Sequence, residues 1–138
     1  MSAVSGCASL PKCGDLVVDD ESAGRLVVYR KRALMGFGAA LNVAVDECKL
    51  GTLWNGGYIV GKFPAGEHQI SLLSEFGNPI DPHTIHVASG SDTYVRWSEV
   101  VEDVIITGST GIATGHTVFT EVLRETAISE LEKLRELE

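Results

Sequence analysis

Apolar and polar residues alternate with a period of two along most of this chain, and only its C-terminal segment changes to a helical spacing. Leu41, Val43 and Val45 alternate with Asn42, Ala44 and Asp46, which predicts a strand with one buried face. Asp46 to Gly51 then reads as a polar turn closed by glycine. Asn55-Gly56-Gly57 is a second turn signal, because these residues accept the positive φ of tight hairpins. A strand over Tyr58–Phe63 runs into Pro64-Ala65-Gly66, and His68, Ile70 and Leu72 open the next alternating run. These three strands with short turns are expected to form an antiparallel meander.

Upstream, Leu26-Val27-Val28-Tyr29 is apolar at consecutive positions, so this strand is expected to be central and covered on both faces. Downstream, Phe76 to Pro82 is the strongest breaker. Strands are predicted over His83–Ala88, Thr93–Trp97, Val100–Thr107 and Thr117–Leu123, with Gly108–Gly115 as a glycine-threonine loop. Ile128, Leu131, Leu134 and Leu137 recur at helical spacing with charged residues between them. That predicts one amphipathic C-terminal helix over about 126–137, capped by Thr126, with Glu130 in its first turn, docked on a sheet. The class is all-β with one C-terminal helix: short strands at about ten-residue spacing indicate an antiparallel β-sandwich or a barrel. Residues 1–22 read as a tether and 23–138 as a single domain.

Composition narrows the partners. With 138 residues, 44% apolar and 22% charged, the chain can build a core. A net charge of −8 argues against nucleic acid, and Arg30-Lys31-Arg32 reads as a solvated strand end. No apolar run is long enough to span a bilayer.

Val4-Ser5-Gly6-Cys7 resembles the lipobox of bacterial lipoproteins, where small residues precede a cysteine that becomes lipidated. On that reading Cys7 is the mature N-terminus and the signal segment lies upstream of Met1. The alternative is a small-residue tail with a chance cysteine in a cytoplasmic protein. Setting Cys7 aside leaves Cys13 and Cys48 as a candidate disulfide, with two free thiols as the alternative.

No catalytic constellation stands out, so the chain reads as a non-enzyme without a cofactor. His83 and His86 lie three apart in a predicted strand and face opposite sides, and no metal-ligand spacing accompanies them. Neither a nucleophile elbow nor a P-loop is present. Trp54 and Tyr58 flank the Asn55-Gly56-Gly57 turn, and Phe37 sits at the tip of the apolar loop after Arg32. Aromatic rings beside a polar turn suit contact with protein or sugar. Trp54, Asn55, Tyr58 and Phe37 are therefore the candidate partner-binding residues. The rival is a hydrolase or inhibitor whose site joins Asp46, His68 and His83.

Several segments together resemble a bacterial family known as domain of unknown function 2846. They are Leu26-Val27-Val28-Tyr29-Arg30, Asn42 to Asp46, Gly51-Thr52-Leu53, Asn55-Gly56-Gly57-Tyr58 and Pro64-Ala65-Gly66-Glu67-His68. The Pro64-x-Gly66-x-His68 turn is also similar to PEGA-type and transthyretin-like modules. Lys31 stands where a proline often follows the Tyr-Arg pair. The resemblance supplies no catalytic residues and makes Tyr29, Arg30, Asp46, Gly51, Gly56, Pro64, Gly66 and His68 a structural motif. It implies a small envelope lipoprotein anchored by Cys7, and Ala8 rather than Asp after that cysteine would, in a Gram-negative cell, favour the periplasmic face of the outer membrane. Such a protein would act as a non-enzymatic module contacting an envelope protein or cell-wall glycan.

Overall fold

The computed structural model describes residues 10–15, 21–31, 40–74, 76–107 and 110–136. A single 3-10 turn at Cys13–Asp15 is followed by β1 (Gly24–Arg30), β2 (Leu41–Val45), β3 (Cys48–Leu53), β4 (Gly57–Phe63) and β5 (Gly66–Leu73). Then come β6 (Pro79–Val87), β7 (Asp92–Thr107), β8 (Thr110–Val122), α1 (Arg124–Leu131) and a two-residue β9 (Arg135–Glu136). The strands form two sheets, ordered β8-β7-β1-β4-β9 and β3-β2-β5-β6. The all-β sandwich with one C-terminal helix is therefore the architecture, although β1 pairs with β7 in parallel and β4 with β9 in parallel.

Alternation along each strand explains the layering. Leu26 and Val28 of β1 join Val43, Val45, Leu53, Ile59, Phe63, Ile70, Leu72, Ile85, Val95, Trp97 and Phe119 in the core between the sheets. The intervening Val27 and Tyr29 face the other way and pack with Tyr94, Tyr58 and Val60 against Ala127, Leu131 and Leu134 of the helical segment. The expectation that β1 is central and apolar on both faces holds for this reason: one face meets the second sheet and the other meets the helix.

The meander is corrected. β2 pairs with β3 and with β5, whereas β4 lies in the opposite sheet beside β1. The Trp54–Gly57 turn carries the chain from one sheet to the other, with Gly57 N–H donating to the Trp54 carbonyl at 3.0 Å and Gly56 at φ 72°. Period-two patterning states which face is buried, and Ile59 and Phe63 can bury theirs from either sheet. The turn at Asp46–Glu47 is also shorter than expected, since Cys48 already begins β3 and Asp46 itself takes φ 52°.

Two further boundaries move. Thr110–Val122 is continuous strand paired with β7, so strand replaces the expected loop over residues 110–115, while residues 108–109 lie outside the described residues. Thr and Ile between the glycines favour extended backbone, and antiparallel pairing to Val104 and Ile105 outweighs the glycines. The helix starts at Arg124 after an N-cap Leu123 that makes no side-chain cap bond. Thr126 is therefore inside the helix and does not cap it, and Glu130 lies in the last turn instead of the first. Packing of Ala127 and Leu131 on β1 and β7 starts this helix without the usual capping chemistry.

Residues 10–15, read from sequence as tether, lie against the body. Lys49 N–H donates to the Pro11 carbonyl at 2.7 Å, Lys12 bridges to Lys49, and Cys13 is bonded to Cys48 by a disulfide. At the same end of the sandwich the 88–91 turn closes over the start of β1. A Cβ at Gly24 would fall on the Ala88 carbonyl oxygen and 2.7 Å from that of Ser91, so only glycine fits there.

Candidate functional site

The strand directions give the sandwich two distinct ends. One end carries the Asp46–Glu47 turn, the Pro64–Gly66 turn, the 88–91 turn and the close of β8. The other carries the ends of β1, β3 and β5, the starts of β2, β4 and β6, and the point where β7 runs past its partner β1.

At the first end His68 joins two turns. Its Nδ1 lies 2.6 Å from Asp46 Oδ2 and its Nε2 lies 2.7 Å from the Pro64 carbonyl oxygen. Both partners are acceptors, so both contacts are hydrogen bonds only when each ring nitrogen carries a proton. The other Asp46 oxygen accepts from the Gln69 N–H at 2.9 Å, and the Asp46 N–H donates to the Gln69 carbonyl at 2.8 Å. The Phe63 ring lies 5.5 Å from the imidazole. The motif residues Asp46, Pro64, Gly66 and His68 therefore form a clamp between a β2–β3 turn and a β4–β5 turn, and Gly66 supplies φ 125° there. Replacing His68 with alanine is expected to lower unfolding stability by about 1–2 kcal/mol in a urea titration, because it removes the tie between the two turns, whose Asp46 end is half exposed to water. An unchanged midpoint would show that the two turns hold their geometry independently.

The structure brings Asp46 and His68 together and leaves His83 elsewhere. His83 lies opposite Ile70, with Nδ1 2.8 Å from the Asp81 carbonyl oxygen and its ring edge-on to Phe119. The triad Asp46, His68 and His83 does not converge, and both His68 nitrogens are already engaged. His86 lies between two exposed carboxylates, 3.2 Å from Glu67 and 3.5 Å from Glu121. It borders a shallow groove of about 390 Å³ lined also by Asp92, Tyr94, Leu123 and Arg124. Hydrogen bonds from Arg25 hold the Asp92 carboxyl below its usual range, with burial opposing them. Among the described residues no group of His, Cys, Asp and Glu could hold a metal ion.

Arg30 and Tyr29 have roles that sequence did not show. Arg30, expected at a solvated strand end, is only 5% exposed, with its guanidinium 4.8 Å from the Trp97 ring centre. Stacking on an indole lets a cation sit in a core that would otherwise exclude it. Tyr29, fully buried under the helix, donates to Glu130 Oε1 at 2.5 Å. Arg96 Nη1 donates to both Glu130 oxygens at 2.9 and 3.1 Å, and Lys31 Nζ lies 3.1 Å from Oε2. Burial opposes ionisation of Glu130. The hydrogen bonds from Tyr29, Lys31 and Arg96, with the Arg96 charge, outweigh it and lower its pKa. Burial, then the Glu130 hydrogen bond and charge, push the Tyr29 hydroxyl well above its ordinary 10.0.

At the second end three large apolar side chains are open to solvent: Trp54 at 48%, Phe76 at 77% and Ile80 at 42%. The register β3-β2-β5-β6 puts Trp54 and Ile80 at opposite sides of one sheet rim, about 15 Å apart by strand spacing. Phe76 is presented by a turn in which the Ser74 Oγ accepts from the Phe76 and Asn78 N–H groups and Gly77 takes φ 81°. Asn55 lies in the turn after Trp54, whereas Tyr58 packs into the cluster beneath the helix and separates from Trp54. Phe37 and Cys7 lie outside the described residues. Gly51 is set by Ile59, whose side chain would lie 3.4 Å from an added Cβ. The sequence does not single out Phe76 and Ile80, because the Phe76–Pro82 stretch reads as a breaker.

The clamp residues, the turn at Gly56 and the β1 core strand lie within one matched segment: residues 20–111 match the family model described as protein of unknown function (DUF2846). The chain belongs to that family. No curated protein and no solved structure matches the chain. In this DUF2846 member the matched segment runs from before β1 to the first residues of β8. The clamp, Tyr29, Arg30 and the apolar rim all fall inside it, while Glu130 and the helix lie beyond it.

Proposed function

We propose that this protein is an envelope lipoprotein, tethered through Cys7, that binds a protein partner at the rim carrying Trp54, Phe76 and Ile80. The observation that carries the reading is the exposure of three large apolar side chains at one end of the sandwich, Trp54 on one side of the sheet rim and Phe76 and Ile80 on the other. Such clusters with polar surroundings are characteristic of protein contact sites. Phe76 and Ile80 favour a protein over a glycan, because sugar recognition adds polar partners to its aromatic platform. The Cys13–Cys48 disulfide supports an oxidising compartment, and Val4-Ser5-Gly6-Cys7 supports lipidation.

Two measurements test the two halves. Intact mass of the protein from its native cells should give a chain beginning at Cys7 with added diacylglyceryl and acyl groups; an unmodified Cys7 would overturn the anchor. Affinity capture from envelope extracts should recover a defined partner, and Trp54→Ala with Phe76→Ala should reduce its recovery at least tenfold, at about 1–2 kcal/mol for each ring. Thermal unfolding of that variant should shift little, since Phe76 is largely solvated and Trp54 is half exposed. Equal recovery with the variant would overturn the rim as the contact surface.

A further inference from the structure

The two strands β7 and β8 extend well past the sandwich. β1 pairs with β7 only from Asp92 to Trp97, whereas β7 and β8 stay paired out to Thr107 and Thr110. Beyond Trp97, among the described residues, the pair is a two-stranded ribbon with both outer backbone edges open. It is ten residues long on the β7 side, about 33 Å at ordinary strand rise. A register shift between Val101 and Asp103 leaves Glu102 as the extra residue of a β-bulge at the ribbon's root. A two-stranded ribbon of this length is marginal in water by itself, and its open edges are templates for further strand pairing.

The sequence of the arm points to what fills that edge. Val104 to Thr120 contains no Asp, Glu, Lys or Arg, in a chain of net charge −8, and the carboxylates Glu99, Glu102 and Asp103 stop at the root. Two copies of this chain repel through their bodies but not through this stretch. Val104, Ile105, Ile106, Thr107, Thr110, Ile112 and Thr114 favour extended structure, and proline, which would block pairing, is absent. A bilayer fits less well. Unpaired peptide groups are costly in lipid, and the arm holds no Trp, Tyr, Lys or Arg to seat it at an interface.

We propose that the β7–β8 arm is a self-association element: β8 pairs antiparallel with β8 of a second copy around a two-fold axis near Thr114, making a four-stranded sheet between two bodies held apart at its ends. The same surface patch serves both copies, as closed two-fold association requires.

The test is sedimentation equilibrium of the full unlipidated chain from about 1 to 100 µM, the range of modest interfaces. The mass should rise from one chain to two across that range. Thr114→Lys, which sets like charges beside the axis, should weaken association at least tenfold. Replacing residues 104–113 by Asn-Gly, a two-residue hairpin turn, should leave a monomer at every concentration. In a Cys7→Ser background Thr114→Cys should form a covalent dimer on mild oxidation, and Thr120→Cys should not. A wild-type monomer throughout the range overturns the proposal, including one that floats with phosphatidylcholine vesicles through the arm. A dimer of equal strength in the Thr114→Lys and shortened-arm variants also overturns it.

Discussion

Cys13→Ser with Cys48→Ser lowers unfolding stability by about 3–4 kcal/mol. The magnitude comes from the loop the disulfide closes: a sequence separation of 35 removes about that much freedom from the unfolded chain. For a chain of this size the melting temperature should fall by about 10–15 °C. The effect has a local component too. Cys48 is buried at the start of β3, and the bond fixes residues 10–15 against that strand through the Pro11–Lys49 hydrogen bond. Urea unfolding with and without reductant, on the wild-type chain and the double variant, checks both components. Equal midpoints for the oxidised and reduced wild type would show that the N-terminal segment contributes nothing to the folded state.

Glu130→Ala is the second large effect, at about 2–3 kcal/mol. Removing the carboxylate leaves the Tyr29 hydroxyl buried without its acceptor and the Arg96 cation without its partner. Arg96 and Lys31 keep some access to water, so the loss falls short of that for a fully enclosed pair. Glu130→Gln keeps an acceptor and should lose less than half as much. The pH dependence follows from the shifts. The Glu130 pKa is lowered in the folded state, so its contribution is complete above the ordinary carboxyl value of 4.5 and is lost as pH falls through the lower folded value. The Tyr29 pKa is raised, so stability is complete below pH 10.0 and declines as pH rises beyond it toward the folded value. Urea midpoints between pH 2 and 5 and above pH 10 should show both slopes in the wild type. Glu130→Ala should flatten the acid slope, and Tyr29→Phe the alkaline one. An acid slope unchanged by Glu130→Ala would assign acid sensitivity to other carboxylates, such as Asp92.

Much of the fold is legible in the alternation. Leu26 to Tyr29 carries apolar residues on both faces because two layers cover β1, and that is visible without coordinates. The partner of β4 is not, since Ile59 and Phe63 would be buried equally well in either sheet. The helix start is not legible because Leu123, which precedes it, has no capping side chain, whereas Thr126 does. The site is less legible than the fold. Asp46 and His68 share a motif only through the family resemblance, and nothing local shows that the imidazole reaches Asp46 and Pro64 together. Arg30 looked solvated because its neighbours in sequence are basic, and only the parallel register with Trp97 places an indole beside it. Glu130 meets Tyr29 across a separation of 101 residues, which no local pattern encodes.

The position of the disulfide carries a directional consequence. Cys13 is fixed at the Asp46–Glu47 end, and Trp54, Phe76 and the root of the arm occupy the opposite end. A lipid on Cys7 would be joined to Cys13 by a strap whose full extension is about 20 Å. Under the proposed anchor, such a strap would hold the clamp end close to the bilayer and would point the apolar rim and the arm outward. The covalent bond would then set the height at which the protein meets its partners, and cutting it would let the body drift and turn on a longer leash.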